Sequence, residues 1–316
     1  MKILITGAAG DIGSRLVDVF KQDSEVELFT TALGEIDGMD AGHHLSSDIR
    51  DAKLLDWVKK IEPNVIIHLA SIIQLPESMS REEAFEVDVT ATESLLKTAA
   101  ESGVNKFIVT SSGAAYGYWK DNADWLTEDM PLRGNEDYFY SSHKRQVEEL
   151  LSKYRQLYPF MQQVVLRPGT VLGPNFENPI TNIFSKNIIT GIAGSASPFV
   201  IIWVDDLVEY LIESAKTDVE GVFNVAGDGT LTLKQIAGYL NKPYIGIPSW
   251  FLRGVLSVLK PLGVSQYGPE QVKFIEFRPV LSNTKIKQAF KHQPQKSTEQ
   301  AFFAFLEKSN KEYVKA

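Results

Sequence analysis

The sequence predicts an α/β protein, a doubly wound parallel sheet with a smaller, mostly C-terminal α/β lobe. Three observations carry this. Short β-branched runs alternate with amphipathic segments through the first half of the chain, a glycine triplet follows the first run at once, and no internal repeat or low-complexity tract breaks the alternation.

ILIT (3–6) reads as the first strand and Ile12–Gln22 as its helix. VELFTT (26–31) precedes the helix Ala52–Ile61, VIIHLA (65–70) precedes Arg81–Ser102, and KFIVTSS (106–112) precedes Phe139–Tyr154, with QQVVLRP (162–168) closing the series. Units of this kind cross over right-handed and make a parallel sheet covered on both faces. After Arg167, Gly and Pro accumulate in GPNFENP, GIAGSASPF and NKPYIGIPSW, which marks the loops and short elements of a second lobe. VDDLVEYLIESAK and GVFNVAG read again as helix and buried strand. The first lobe is therefore expected at residues 1–167 and 200–227, and the second at 168–199 and 228–316.

A chain of 316 residues with 44% apolar content is long enough for a large core. Its net charge of −8, with scattered Lys and Arg, argues against nucleic acid and for a small-molecule substrate. The absence of cysteine excludes disulfides, zinc–thiolate sites and a cysteine nucleophile. MKILITG enters a strand directly, and no run approaches the roughly 18–20 apolar residues of a membrane span. A cytoplasmic protein without a membrane span is expected.

TGAAGDIGSRL sets Gly7, Gly10 and Gly13 three apart between a strand and a helix. Glycines there allow a tight turn and close approach of the backbone to a pyrophosphate, while the helix N-terminus offers N–H groups to it. This predicts dinucleotide binding in the first lobe. At the end of the second strand, where Asp or Glu would bind the ribose of NAD, Thr30 is expected. The following TALGEIDGMD has no cation for a 2′-phosphate, although Arg15 could reach over. The cofactor is NAD or NADP, with NAD favoured.

In YFYSSHKRQVEELLSKY, residues four apart share a helix face, so Tyr140 sits beside Lys144 while Tyr138 has Ser142 at that spacing. An adjacent ammonium would bring a phenol down from its ordinary value near 10 toward the working range of an acid/base, and Lys144 can also bind a ribose. His143 is expected at the surface. Upstream, KFIVTSSGAAYG ends a strand in serines at the carboxyl edge, where open α/β sheets bind ligands.

TGAAGDIG, SDIRD, HLAS, TSSGAAYG, YSSHK, LRPGTVLGP and VDDL occur in the order and approximate spacing of the extended short-chain dehydrogenase/reductase superfamily, the NAD-dependent epimerase/dehydratase family. The chain resembles its sugar-nucleotide 4-epimerase-like members and its hydroxysteroid and dihydroflavonol reductase-like branch. The resemblance implies a Rossmann-type fold and reversible hydride transfer between a secondary alcohol or ketone and nicotinamide. It places Ile12 and the three glycines at the pyrophosphate and Asp48 and Ile49 at the adenine. Leu69, Ala70 and Ser71 fall beside the cofactor, and Pro168 and Gly169 near the nicotinamide. Ser112, Tyr140 and Lys144 become the catalytic group, with Ser111 behind Ser112. Family members often dimerise through two helices, here Arg81–Ser102 and Phe139–Tyr154, which makes a homodimer an expectation.

The chain also departs from the family pattern. Asp88 and Thr170 stand where relatives show asparagine, so that a usual amide contact becomes a carboxylate or a hydroxyl. SASPFVIIWVDDL lacks the Arg of sugar-nucleotide enzymes, which weakens a diphosphosugar ligand; Arg278 could still face a phosphate, or be a surface or ion-paired arginine. The open alternatives are therefore an oxidoreductase of a small or hydrophobic alcohol, a nucleotide-sugar epimerase or dehydratase, and a non-catalytic cofactor-binding regulator. Ile247–Val264 reads as an ordinary packed helix rather than a lid or a membrane-surface helix. His43 and His44 have no third metal ligand at sensible spacing, and no metal is expected.

Overall fold

The computed structural model describes residues 1–264, 268–309 and 313. Its strands are β1 (Lys2–Thr6), β2 (Glu27–Ala32), β3 (His44–Ser46), β4 (Val65–His68), β5 (Lys106–Thr110), β6 (Gln162–Pro168), β7 (Thr170–Leu172), β8 (Ile189–Ile192), β9 (Ile201–Trp203), β10 (Gly221–Val225) and β11 (Tyr244–Ile247). The helices are α1 (Asp11–Phe20), α2 (Ala52–Ile61), α3 (Arg81–Phe85), α4 (Ala91–Glu101), α5 (Phe139–Leu157), α6 (Pro179–Phe184), α7 (Val204–Lys216), α8 (Leu233–Tyr239), α9 (Ser249–Leu259), α10 (Val272–Glu276), α11 (Thr284–Ala289) and α12 (Thr298–Lys308).

Seven strands form one parallel sheet in the order β10-β6-β5-β4-β1-β2-β3. Strands such as ILIT and VIIH are buried on both faces and so are apolar without alternation. The order reverses between β1 and β4, and Thr6 pairs with His68 at the carboxyl edge of that crevice, the position where open sheets bind ligands. On one face, Leu4, Phe29 and Ile66 pack with Leu54, Val58, Leu95 and Leu151 of the helices. On the other, Ile3, Ile5 and Ile67 belong to a cluster that runs without a break to Phe302 and Phe305 of α12. β10 and α7, sequence-distant from the first half, pack into this sheet, while β7 pairs with β9 and β8 with β11 as separate two-stranded sheets.

Two expectations are corrected. His143 is buried, not at the surface, because positions 143, 147 and 151 of α5 fall on one stripe with Val147 and Leu151 against the sheet. The helix α9 is not packed like an ordinary core helix. None of its residues is fully buried, and Trp250 is 74% and Phe251 51% exposed. No helix among the described residues is long and apolar enough to cross a membrane.

The sheet and α5 are joined by a buried ion pair. Arg167 of β6 holds Glu148 of α5 with Nε and Nη2 at 2.6–3.0 Å, and its Nη1 donates to the Tyr116 hydroxyl at 2.7 Å. Removing one partner of a buried pair strands the other charge in a medium that cannot solvate it. Arg167→Leu should lower unfolding stability by about 3–5 kcal/mol, read as a reduced denaturant midpoint.

Candidate active site

The glycine loop turns directly from β1 into α1. Gly7 adopts φ +70°, and a Cβ there would lie 2.6 Å from the Ala70 nitrogen. A Cβ at Gly13 would lie 2.3 Å from the Gly7 carbonyl oxygen, so this position must be bare for helix and strand to pack. Gly10 caps α1 without a side chain, and a Cβ there would meet only the Gly7 carbonyl at 3.3 Å. The lack of a side chain leaves the N–H groups of the first helical turn accessible to an anion, so the loop fits a pyrophosphate. Ile12 is half-buried beneath it against the core, and Leu69, Ala70 and Ser71 follow β4 on the other side of the crevice.

The residue expected at the ribose is enclosed in the sheet. β2 continues to Ala32, so Thr30 lies within the strand, fully buried, its hydroxyl 2.9 Å from His44 Nδ1. Thr31 is the residue in register with Thr6, and its carbonyl accepts from the Ala8 N–H of the glycine loop at 3.2 Å. Asp48 lies in the next loop, but both of its oxygens accept from the Arg50 guanidinium at 2.8–2.9 Å, which holds the carboxyl below its ordinary range. Ile49 packs on the core beside it. Arg15 pairs with Asp205 at 3.3 Å.

At the carboxyl end of β5 the chain leaves Thr110 for Ser111 and Ser112 and enters a 3₁₀ turn, Gly113–Tyr116. Ser112 caps that turn, accepting from Ala114 N–H at 3.1 Å, and its hydroxyl lies near enough to Tyr140 to favour the ionised phenol. Ser141 ties α5 to the same turn by donating to the Ala114 carbonyl at 2.6 Å. Tyr140 and Lys144 are adjacent, the ammonium 5.6 Å from the ring centroid, and Lys144 donates to the Thr110 carbonyl at 3.0 Å. Ser112, Tyr140 and Lys144 thus converge on the edge of the sheet reached by the glycine loop.

The electrostatics differ from the expectation that Lys144 lowers the phenol. Burial pushes Tyr140 up to about 12 against the lowering influence of the neighbouring Ser112 hydroxyl, and burial pushes Lys144 down against Asp88 and Glu148. Desolvation wins over the pairwise attraction because Lys144 is buried and Tyr140 is half-buried among other aromatic rings.

The remaining expected contacts are distributed unevenly. Ser111 is buried and donates to Glu148, so it supports the ion pair and does not face a ligand. Asp88 is buried and clamped by Ile72 N–H and His143 rather than open to substrate. Pro168 is buried at the end of β6, and a Cβ on Gly169 would lie 2.6 Å from the Val200 carbonyl. Thr170 is half-buried in β7. Arg278 is half-buried, neither a surface nor an ion-paired arginine among the described residues; its guanidinium stacks 3.9 Å over the Phe199 ring, and its Nε has no hydrogen-bond partner there. His43 contacts Asp40 at 3.0 Å, and His44 is buried with Nε2 2.9 Å from the Gly34 carbonyl; no group of potential metal ligands occurs among the described residues.

Sequence reasoning missed an aromatic wall. Phe274 of α10 packs tilted against Tyr138 at 4.3 Å and edge-on against Tyr118 at 4.9 Å, and the Tyr138 ring lies 6.2 Å from that of Tyr140. Nothing local links Phe274 to Tyr118, so the sequence carried no signal for it.

His68, at the end of β4, lies between Thr6 and Thr92 at 2.7 and 2.9 Å. Burial, reinforced by Lys144, pushes its imidazole down from 6.5 to about 3. The folded protein keeps the ring neutral, so its contribution to stability is complete above pH 6.5 and is lost as pH falls toward 3. Urea unfolding should lose about 1.4 kcal/mol per pH unit below 6.5 from this group. His68→Gln should flatten the slope between pH 6.5 and 5.

The sequence profile of the NAD dependent epimerase/dehydratase family matches residues 3–226. UDP-glucose 4-epimerase of Mycolicibacterium smegmatis is 32% identical over 233 residues, covering 68% of this chain and 73% of that protein. Sterol demethylase protein B of Methylococcus capsulatus is 23% identical over 280 residues, covering 83% of this chain and 82% of that protein. The crystal structure of UDP-glucose 4-epimerase with UDP-glucose from Thermotoga maritima superposes with a TM-score of 0.74 at 20% identity over 98% of both chains. With the glycine loop, the serine turn and the tyrosine–lysine pair in register, the chain belongs to the NAD dependent epimerase/dehydratase family.

Proposed function

We propose that this protein catalyses reversible hydride transfer between a secondary alcohol or ketone and NAD, with Tyr140 as the acid/base. The observation that carries the reading is the convergence of Ser112, Tyr140 and Lys144 at the sheet edge adjoining the glycine loop. Gly7, Gly10, Ile12 and Gly13 hold the pyrophosphate, Lys144 binds the ribose, and the Pro168–Gly169 turn adjoins the nicotinamide. NAD is favoured over NADP because residues 31–40 offer no cation for a 2′-phosphate. When bound, NAD accepts and returns the hydride.

Ser112 donates to the substrate oxygen, and Tyr140 exchanges that oxygen's proton. With its pKa pushed up to about 12, Tyr140 is a neutral phenol at pH 7. It is therefore ready to give a proton to a carbonyl, and it needs the charge of Lys144 to accept one from an alcohol. The wall of Tyr118, Tyr138 and Phe274 supports a small or hydrophobic substrate. A second reading, epimerisation of a nucleotide sugar, is favoured by the likeness to UDP-glucose 4-epimerases. Residues 168–199 and 228–316 serve as the substrate lobe, the protein acts in the cytoplasm, and α4 and α5 supply the faces of a homodimer.

Incubation with NAD and panels of ketones, alcohols and UDP-sugars separates the readings. Net change in nicotinamide absorbance is expected. Inversion of a sugar without net cofactor turnover would favour the second reading, and binding without any turnover would overturn both. Tyr140→Phe should fold and bind NAD normally while turnover drops about 100-fold or more. A near-normal rate on a verified substrate would remove Tyr140 from the mechanism.

A further inference from the structure

Between α3 and α4 the helix is wound for one turn as a π-helix, Glu86–Thr90. Such turns push a side chain out of α-helical register and recur at functional positions. The side chain delivered here is Asp88, only 4% exposed. Its two oxygens are held from different elements. Ile72 N–H, just beyond β4, donates to Oδ1 at 2.8 Å, and His143 Nδ1 of α5 lies 2.9 Å from Oδ2. Phe85 and Phe139 pack edge-on against the His143 ring and hold its orientation.

Asp88 and Lys144 line one small cell of about 10 Å³ together with His68, Ser71 and Thr110. The Ser71 hydroxyl is buried there and has no hydrogen-bond partner among the described residues. A cell of this size walled by hydroxyl, carboxylate and ammonium suits one bridging water.

The groups facing Lys144 are Tyr140 and Glu148 from α5, His68 from β4 and Asp88 from the π-turn. Tyr140 and His68 are neutral at pH 7. Glu148 is already matched by Arg167. Asp88 is therefore the one of these carboxylates with no arginine on it, and among the effects on Lys144 it opposes burial more strongly than Glu148 does.

We propose that Asp88 and His143 form a positioning pair for Lys144. The carboxylate, clamped by Ile72 and His143, is the counter-charge that keeps the buried ammonium charged beside Tyr140. The inference rests on reading Tyr140 and Lys144 as the proton-handling pair, but its test needs no substrate.

Asp88→Asn retains the shape, since the amide oxygen accepts from Ile72 N–H and the amide nitrogen faces His143. Protein labelled with ¹³C at lysine Cε is titrated by NMR, the Lys144 signal being assigned by its loss in Lys144→Met. The Lys144 pKa should fall in Asp88→Asn by about one unit or more, the scale of a close opposite charge. Asp88→Ser, which also removes the carboxylate, should show the same fall. His143→Asn, which can still donate, should keep the wild-type value, and His143→Leu should reproduce part of the fall. An unchanged Lys144 in both Asp88 variants would overturn the proposal. A rise in His143→Leu would overturn the role of His143 as a clamp.

In turnover, the ammonium form is lost as pH rises through the Lys144 pKa, so the alkaline limb of kcat should move to lower pH in Asp88→Asn. Failure to find turnover in the wild type would count against the functional reading alone, because the titration by itself tells whether Asp88 sustains the Lys144 charge.

Discussion

The ion pair between Glu148 and Arg167 is the contact on which the arrangement of the site depends. Both side chains are 5% exposed, so each charge is tolerable only while the other is in place. Arg167 comes from β6 and Glu148 from α5, and the same knot takes in Ser111 from the end of β5, Tyr116 from the serine turn and, through Tyr116, Asn224 of β10. Glu148 lies one and two helical turns beyond Lys144 and Tyr140 on the same face. Pinning Glu148 to the sheet therefore fixes the rotation of α5, and that rotation aims Tyr140 at Ser112. The pair is a device of geometry more than of net stability, since the desolvation of both ions offsets much of their attraction.

Within that frame the chemistry is governed by burial. A tyrosine next to a lysine is commonly read as a primed phenolate, but here Lys144 is buried and Tyr140 half-buried, and desolvation drives each toward its neutral form. The charge that could prime Tyr140 must itself be sustained. This gives a physical reason for a buried carboxylate near Lys144 and for the histidine and backbone N–H that hold it. It also explains how Asp88, conspicuous in the sequence as a departure from an expected asparagine, comes to be deeply buried without being stranded.

The fold supplies the rest of the site through topology. The reversal of strand order between β1 and β4 opens a crevice, and the glycine loop enters it with an uncapped helix end. The region beyond the serine turn is built differently, from residues that are distant in sequence. Tyr118, Tyr138 and Phe274 make an aromatic wall, and Arg278 lies flat on Phe199. The exposed α9 packs against α10, which carries Phe274. Family membership covers residues 3–226, and Tyr118, Tyr138 and Phe274 give the region beyond the serine turn its aromatic character.

The sequence by itself determined the parallel sheet, the glycine loop and the Tyr140–Lys144 pairing. Each depends on interactions within a few residues, either the burial pattern of a strand, the bare backbone of a turn or the four-residue repeat of a helix face. It also contained the buried stripe through His143, although a histidine beside a lysine reads as solvated until the stripe is followed to Val147 and Leu151. Only the tertiary structure decided that Ser111 serves Arg167's partner, that Thr30 turns to His44 while Thr31 reaches the glycine loop, and that Asp88 meets His143. Asp88 and His143 are separated by 55 residues, and Glu148 and Arg167 by 19. The partner of a buried charge is set by which elements the sheet brings together, and no local periodicity encodes that.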